Sequence, residues 1–135
     1  MRVIKFKQHL FGNERIPLIN IYMSMAISMS KRSICPINKK HGAIAIKEGR
    51  VIAMGYNGPA AGELHCNPCS LISDNIGKDW RTCPAVHAEE NVIANAAKYG
   101  VAINSCALIV TKKPCNRCTS LLINAGIKEV SYLED

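Results

Sequence analysis

Apolar and polar positions follow one another along this chain in recognisable rhythms. From Pro17 to about Ser33, Leu18, Tyr22, Met25 and Met29 recur at helical spacing, which predicts an amphipathic helix. Two short apolar runs follow, "GAIAI" at 42–46 and "RVIAMGYN" at 50–57, and the "KEG" between them predicts a hairpin. Further on, Ala88 to Tyr99 reads as a helix stopped by Gly100. "CALIVT" (106–111) reads as a buried strand, and "PCNRCTSLLINAG" (114–126) as a helix with Pro114 in its first turn and Gly126 past its end. "KEVSYL" (128–133) is the last strand. The order helix, hairpin, helix, strand, helix, strand predicts an α/β domain, with helices packed on a mixed sheet whose later strands are parallel.

Two stretches lack such rhythm. Residues 58 to 84 hold most of the turn-forming residues, and a loop of that length in a compact domain is usually functional or pinned. The first fifteen residues carry no clear pattern and are expected to be an extension of a single domain spanning 1–135.

Composition narrows the class. The chain has 135 residues, enough for a core without disulfides, and its 48% apolar and 20% charged residues fit a soluble globular protein. "MRVIKFKQHLFGNER" scatters charges where an export signal needs an apolar run. "IPLINIYMSMAISM" is too short to span a bilayer and carries Asn20, Ser24 and Ser28. A cytoplasmic location with no membrane partner is expected. The net charge of +7 reads as a solvated basic surface or as attraction to phosphate, on a nucleotide or a nucleic acid, and charge alone leaves that choice open. Two Phe, one Trp and four Tyr give no stacking platform for a single strand, which weighs against nucleic acid.

Seven cysteines, an odd number without an export signal, argue for metal over disulfides. His87 starts one predicted helix, and Cys115 and Cys118 lie three apart in the first turn of another, so both sulfurs face one way. A helix start favours thiolate, and one imidazole with two thiolates suits Zn²⁺. Three protein ligands leave a fourth position for water, whose pKa the metal lowers toward neutrality. Glu89, two residues beyond His87, is placed to accept that water's proton. The competing arrangement is a closed structural site, with a fourth ligand from Cys83 or another cysteine and Glu89 as an ordinary first-turn acid. A lone CxxC would favour the closed site, whereas HxE joined to PCxxC selects the catalytic one.

His65, Cys66, Cys69 and Cys83, with Cys35 in reach, form a candidate second and structural zinc site clamping the long loop. Small buried thiols are the alternative there. Cys106, inside a strand, reads as core, and His41 as a surface or capping residue. Gly55, Gly58 and Gly62 read as simple turn formers or, as the resemblance described next implies, as glycines that let backbone approach a nucleotide.

"YMSMAISMSKRS" (22–33), "HGAIAIKEGRVIAMGYNG" (41–58), "VHAEENVIANAAKYGV" (86–101), "LIVTKKPCNRC" (108–118) and "AGIKEVSYLED" (125–135) together resemble the zinc-dependent nucleoside and nucleotide deaminases. "GYNG" followed by "HC", with "HAEEN", is most similar to the deoxycytidylate (dCMP) deaminase branch. The resemblance implies a three-layer α/β/α sandwich of the cytidine deaminase type. It implies zinc on His87, Cys115 and Cys118, proton transfer by Glu89, and hydrolysis of dCMP to dUMP and ammonia for thymidylate synthesis. Asn57 would bind the deoxyribose. Ser33, Arg81 and Arg117 are chemically suited to the phosphate, although "RTCPAV" sets Arg81 and Thr82 further from the zinc histidine than relatives do. The family further implies a homo-oligomer, often a hexamer, with allosteric response to dCTP and dTTP. The alternatives are a modified deoxycytidylate, a base in polynucleotide (cytosine in single-stranded DNA or adenosine in tRNA), and a zinc-stabilised module without catalysis.

Overall fold

A computed structural model describes residues 1–7, 12–35, 40–66 and 83–133. Its elements are β1 (Arg2–Phe6), α1 (Leu18–Ser30), β2 (Gly42–Lys47), β3 (Arg50–Tyr56), α2 (Ala88–Lys98), β4 (Ala107–Val110), α3 (Asn116–Asn124) and β5 (Glu129–Leu133). The five strands form one sheet in the order β1-β5-β4-β2-β3. β2 runs antiparallel to β3 and β4, while β4, β5 and β1 are mutually parallel neighbours.

The period-two pattern of the strands divides the core between two layers. Ala43 and Ala45 of β2, with Leu108 and Val110 of β4, pack with Val92 and Ala96 of α2 and Leu122 of α3. Ile44, Ile46 and Ile109 point the other way and are covered by Met23 and Ala26 of α1. The result is helix, sheet, helices, the three-layer sandwich expected. The hairpin turn is Glu48-Gly49, both at positive φ, the two-residue geometry that matches strand twist.

Glycine sets the distance at which helices meet the sheet. A Cβ at Gly55 would lie 2.7 Å from the Ala88 carbonyl and 2.8 Å from the Val92 nitrogen, so only glycine lets α2 rest its backbone on β3. Gly42 does the same beneath α1, where a Cβ would stand 2.6 Å from the Ser30 nitrogen. Asn91 and Asn95 of α2 donate to the Tyr56 and Met54 carbonyls (2.7 and 2.8 Å), fixing the helix along the sheet's edge strand. The expected approach of Gly55 to a nucleotide is therefore corrected: its neighbour is a helix. Gly62 has φ +88° with nothing within 4 Å of a Cβ, and serves as a turn former.

Two other expectations change. Residues 2–6, expected as an extension, run as the outer parallel strand beside β5, with Arg2 opposite Glu129 and their side chains 4.0 Å apart. Helix α3 begins later than expected: Cys115 is its N-cap and Pro114 stands outside, because the Cys115 sulfur accepts from the Cys118 N–H and takes the capping role.

Candidate metal centre

Two helix starts and one strand end converge on the site. His87 is the N-cap of α2, its backbone N–H held by the Glu90 carboxylate at 3.2 Å. Ahead of it, Val86 exchanges two backbone hydrogen bonds with Gly58 (3.1 and 2.8 Å), which clasps the entry to α2 against the end of β3. Asn57, buried beside that clasp, accepts the His41 N–H on Oδ1 at 2.8 Å and donates its own backbone N–H to the His41 carbonyl. Asn57 and His87 are thereby fixed relative to one another.

The His87 Nδ1 atom lies 3.3 Å from Cys118 Sγ and 3.7 Å from Cys115 Sγ. All three ligand atoms fall within 4.8 Å of one another. Zinc bond lengths at a tetrahedral angle put nitrogen and sulfur about 3.6 Å apart. The observed pair brackets that value, so the residues fit zinc by spacing as well as by donor type. Cys118 is buried and its thiol is pushed well above the usual range, first by burial and then by the Glu89 charge. A metal that takes the thiolate removes that penalty. Among the described residues this is the one cluster of three candidate ligands.

Glu89 sits in the first turn of α2, buried at 7% exposure. Burial pushes its carboxyl above the ordinary carboxylate range, against the pull of a backbone N–H, of His87 and of the Cys118 thiol that it contacts. A carboxylate displaced toward neutrality is suited to taking and returning a proton. His87, Glu89, Cys115 and Asn57 line one cavity of about 170 Å³.

Sequence reasoning missed part of this wall. His41, read as a surface or capping residue, is half-buried in the cavity lining, with Nδ1 3.3 Å from the Thr111 hydroxyl. Lys112 and Lys113 line it too. The "KKPC" wording carried their signal, being contiguous with a ligand, whereas His41 reaches the site only through strand pairing. Of the phosphate candidates, Ser33 is buried near the end of α1, and Arg117 reaches Glu90 at 3.5 Å. Arg81 lies outside the described residues, as does Cys69 of the second metal group. His65 is exposed, while Cys35, Cys66 and Cys83 are half-buried. Cys106 is core, as read.

Known proteins place this arrangement. Residues 18–134 match the model of the cytidine and deoxycytidylate deaminase zinc-binding region. The ComE operon protein 2 of Bacillus subtilis is 37% identical over 124 residues, covering 90% of this chain and 62% of that protein. The deoxycytidylate deaminase of Schizosaccharomyces pombe is 36% identical over 115 residues, covering 82% of this chain and 35% of that one. The chain thus spans less than two thirds of the length of either relative. The crystal structure of the dCMP deaminase from cyanophage S-TIM5, in complex with dCMP and dUMP, superposes with a TM-score of 0.74 at 31% identity, over 90% of this chain and 86% of that one. With a family match that takes in β2 to β5, both helix starts and all three candidate ligands, the chain belongs to the cytidine and deoxycytidylate deaminase zinc-binding family.

Proposed function

We propose that residues 1–135 form a single deaminase domain that hydrolyses dCMP to dUMP and ammonia, supplying dUMP for thymidylate synthesis. The observation that carries this reading is the meeting of His87, Cys115 and Cys118 at two helix starts, with the buried Glu89 beside them. The S-TIM5 relative, solved with dCMP and dUMP, supports the choice of substrate.

His87, Cys115 and Cys118 would hold zinc, which when bound supplies the Lewis acidity that makes water nucleophilic at neutral pH. Glu89 takes the proton from the attacking water and delivers it to N3 of the cytosine ring as C4 gains its new oxygen. Glu89 then carries the proton of the new C4 hydroxyl to the amino group, which leaves as ammonia as the C4 carbonyl forms. Asn57, held by His41, takes the deoxyribose and orients the base toward Glu89. Ser33, Arg81 and Arg117 are the phosphate candidates carried over from the family.

Family resemblance further supports a role in nucleotide metabolism, a homo-oligomer of hexameric size and allosteric control by dCTP and dTTP, while a cytoplasmic location and a second zinc on His65, Cys66, Cys69, Cys83 and Cys35 are carried from the sequence pattern alone. Among the described residues no helix is long and apolar enough to cross a membrane. Exposed Leu18, Ile21 and Met25 on α1, with Met54 on β3, offer apolar surface for self-association.

The test is ammonia release from zinc-loaded protein offered dCMP, deoxycytidine, CMP, single-stranded DNA and tRNA, with Glu89→Gln alongside. Turnover of dCMP that the variant loses is expected. Activity confined to a polynucleotide would replace this reading.

A further inference from the structure

The first turn of α2 holds two acids, and the reaction proposed above uses only Glu89. Glu90 turns its two oxygens to different partners. Oε1 accepts the His87 backbone N–H at 3.2 Å, and Oε2 lies 3.5 Å from Nη2 of Arg117. Those partners belong to different helix starts: His87 is the N-cap of α2, whereas Arg117 lies between Cys115 and Cys118 in the first turn of α3. One carboxylate thus joins the backbone of the nitrogen ligand to the turn that carries both sulfurs. Charge explains the pairing. A helix start favours an anion and disfavours a cation, so Glu90 suits its place and Arg117 does not. The first turn of α3 has no acid of its own, and Glu90 provides the counter-charge from α2.

We infer that Glu90 and Arg117 are a positioning pair for the metal centre, an ion pair that sets the His87 helix start against the Cys115–Cys118 turn before zinc binds. The inference rests on the zinc site of the proposed function and deepens it, whichever nucleotide is deaminated. The main chain of His87 is held on both sides: its carbonyl accepts the Asn91 N–H at 2.9 Å while Glu90 takes its N–H. The imidazole therefore hangs from a fixed point, 3.3 Å from one sulfur and 3.7 Å from the other. Ligands already in place bind more tightly, because less ordering is left for the metal to impose. Arg117 lines neither the cavity at His87 and Glu89 nor the one bordered by Ser33, which fits a guanidinium committed to Glu90. The Glu90 side chain is 18% exposed and that of Arg117 79%, so losing the acid should cost more than losing the base.

The experiment is zinc affinity by chelator competition on the full chain, with the thermal midpoint of the metal-free protein read beside it. Glu90→Ala removes both contacts and is expected to weaken zinc by about tenfold to a hundredfold, the usual loss when a partner that orients a ligand is removed. Arg117→Ala should weaken it by about twofold to fivefold, the range of an exposed ion pair, and Arg117→Lys should restore most of that. In the Glu90→Gln background, which keeps an acceptor for His87 without the charge, Arg117→Ala should have no further effect. The inference is overturned if Glu90→Ala leaves zinc affinity unchanged, if Arg117→Ala acts equally with and without the Glu90 charge, or if only the metal-free midpoint falls. It is also overturned if Arg117→Ala leaves zinc affinity alone and weakens dUMP relative to deoxyuridine, which would make Arg117 a phosphate ligand. Failure of the deaminase reading looks different: the zinc affinities would follow the expected pattern while dCMP released no ammonia.

Discussion

Two groups of cysteines sit in the same chain and differ in what holds them. Cys115 and Cys118 stand at the start of α3, facing His87 at the start of α2, and both helices pack on one sheet through Val92, Ala96 and Leu122. Cys35, Cys66 and Cys83 lie outside helices and strands, and among the described residues they do not come together as a set of three ligands. Sulfur is equally available in both groups. What separates them among the described residues is that helix starts on a shared core fix direction as well as position.

Breaking the ordered group has the largest expected consequence. Cys118→Ala or His87→Ala removes a ligand from a set of three, and zinc content by atomic absorption should fall together with turnover to background. Retained zinc would mean that another side chain completes the site. Glu89→Gln comes next: kcat should drop by about a hundredfold to ten-thousandfold, the usual share of a positioned proton carrier, with zinc retained. A variant that lost the metal as well would make Glu89 a structural partner of Cys118.

Gly55→Ala sharpens the comparison by disturbing the frame and leaving the ligands alone. The added Cβ would press α2 away from β3. Overpacking of this kind costs about 1–3 kcal/mol, read as a lower thermal midpoint, and the movement of His87 should reduce activity too. By contrast, Cys66→Ser with Cys83→Ser should leave the zinc of the helix pair and the rate of ammonia release in place. If that double variant lost both, the two groups would form one unit.

The smallest effect concerns Cys106, a thiol in neither group. Burial raises its pKa from 9.0 in the folded chain. The unfolded chain then ionises first, so this contribution to stability is full below pH 9 and declines as pH rises above it. Denaturant titrations at pH 8 and pH 10 should show a smaller alkaline loss for Cys106→Ala than for the parent chain.

Much of this was legible in the sequence, for physical reasons that particular residues make plain. Cys115 and Cys118 could be read because three residues make nearly one helical turn, and His87 with Glu89 because a helix start is a local event. Gly100 and Gly126 marked helix ends through a local conformational requirement, and both have positive φ. His41 was not legible, since its place in the cavity wall depends on Thr111, seventy residues away. Strand β1 was hidden for a related reason. Its side chains are mostly exposed and include the charges of Arg2 and Lys5, and its partner is found through backbone hydrogen bonds to β5.

The Gly58–Val86 clasp carries a consequence for how this domain tolerates change. It ties the two ends of the intervening segment beside the site, so the segment's length is decoupled from the positions of Asn57 and His87. Insertions and deletions between the clasped residues are therefore inexpensive for the metal centre, and this is the place where the chain can acquire new specificity without rebuilding its chemistry.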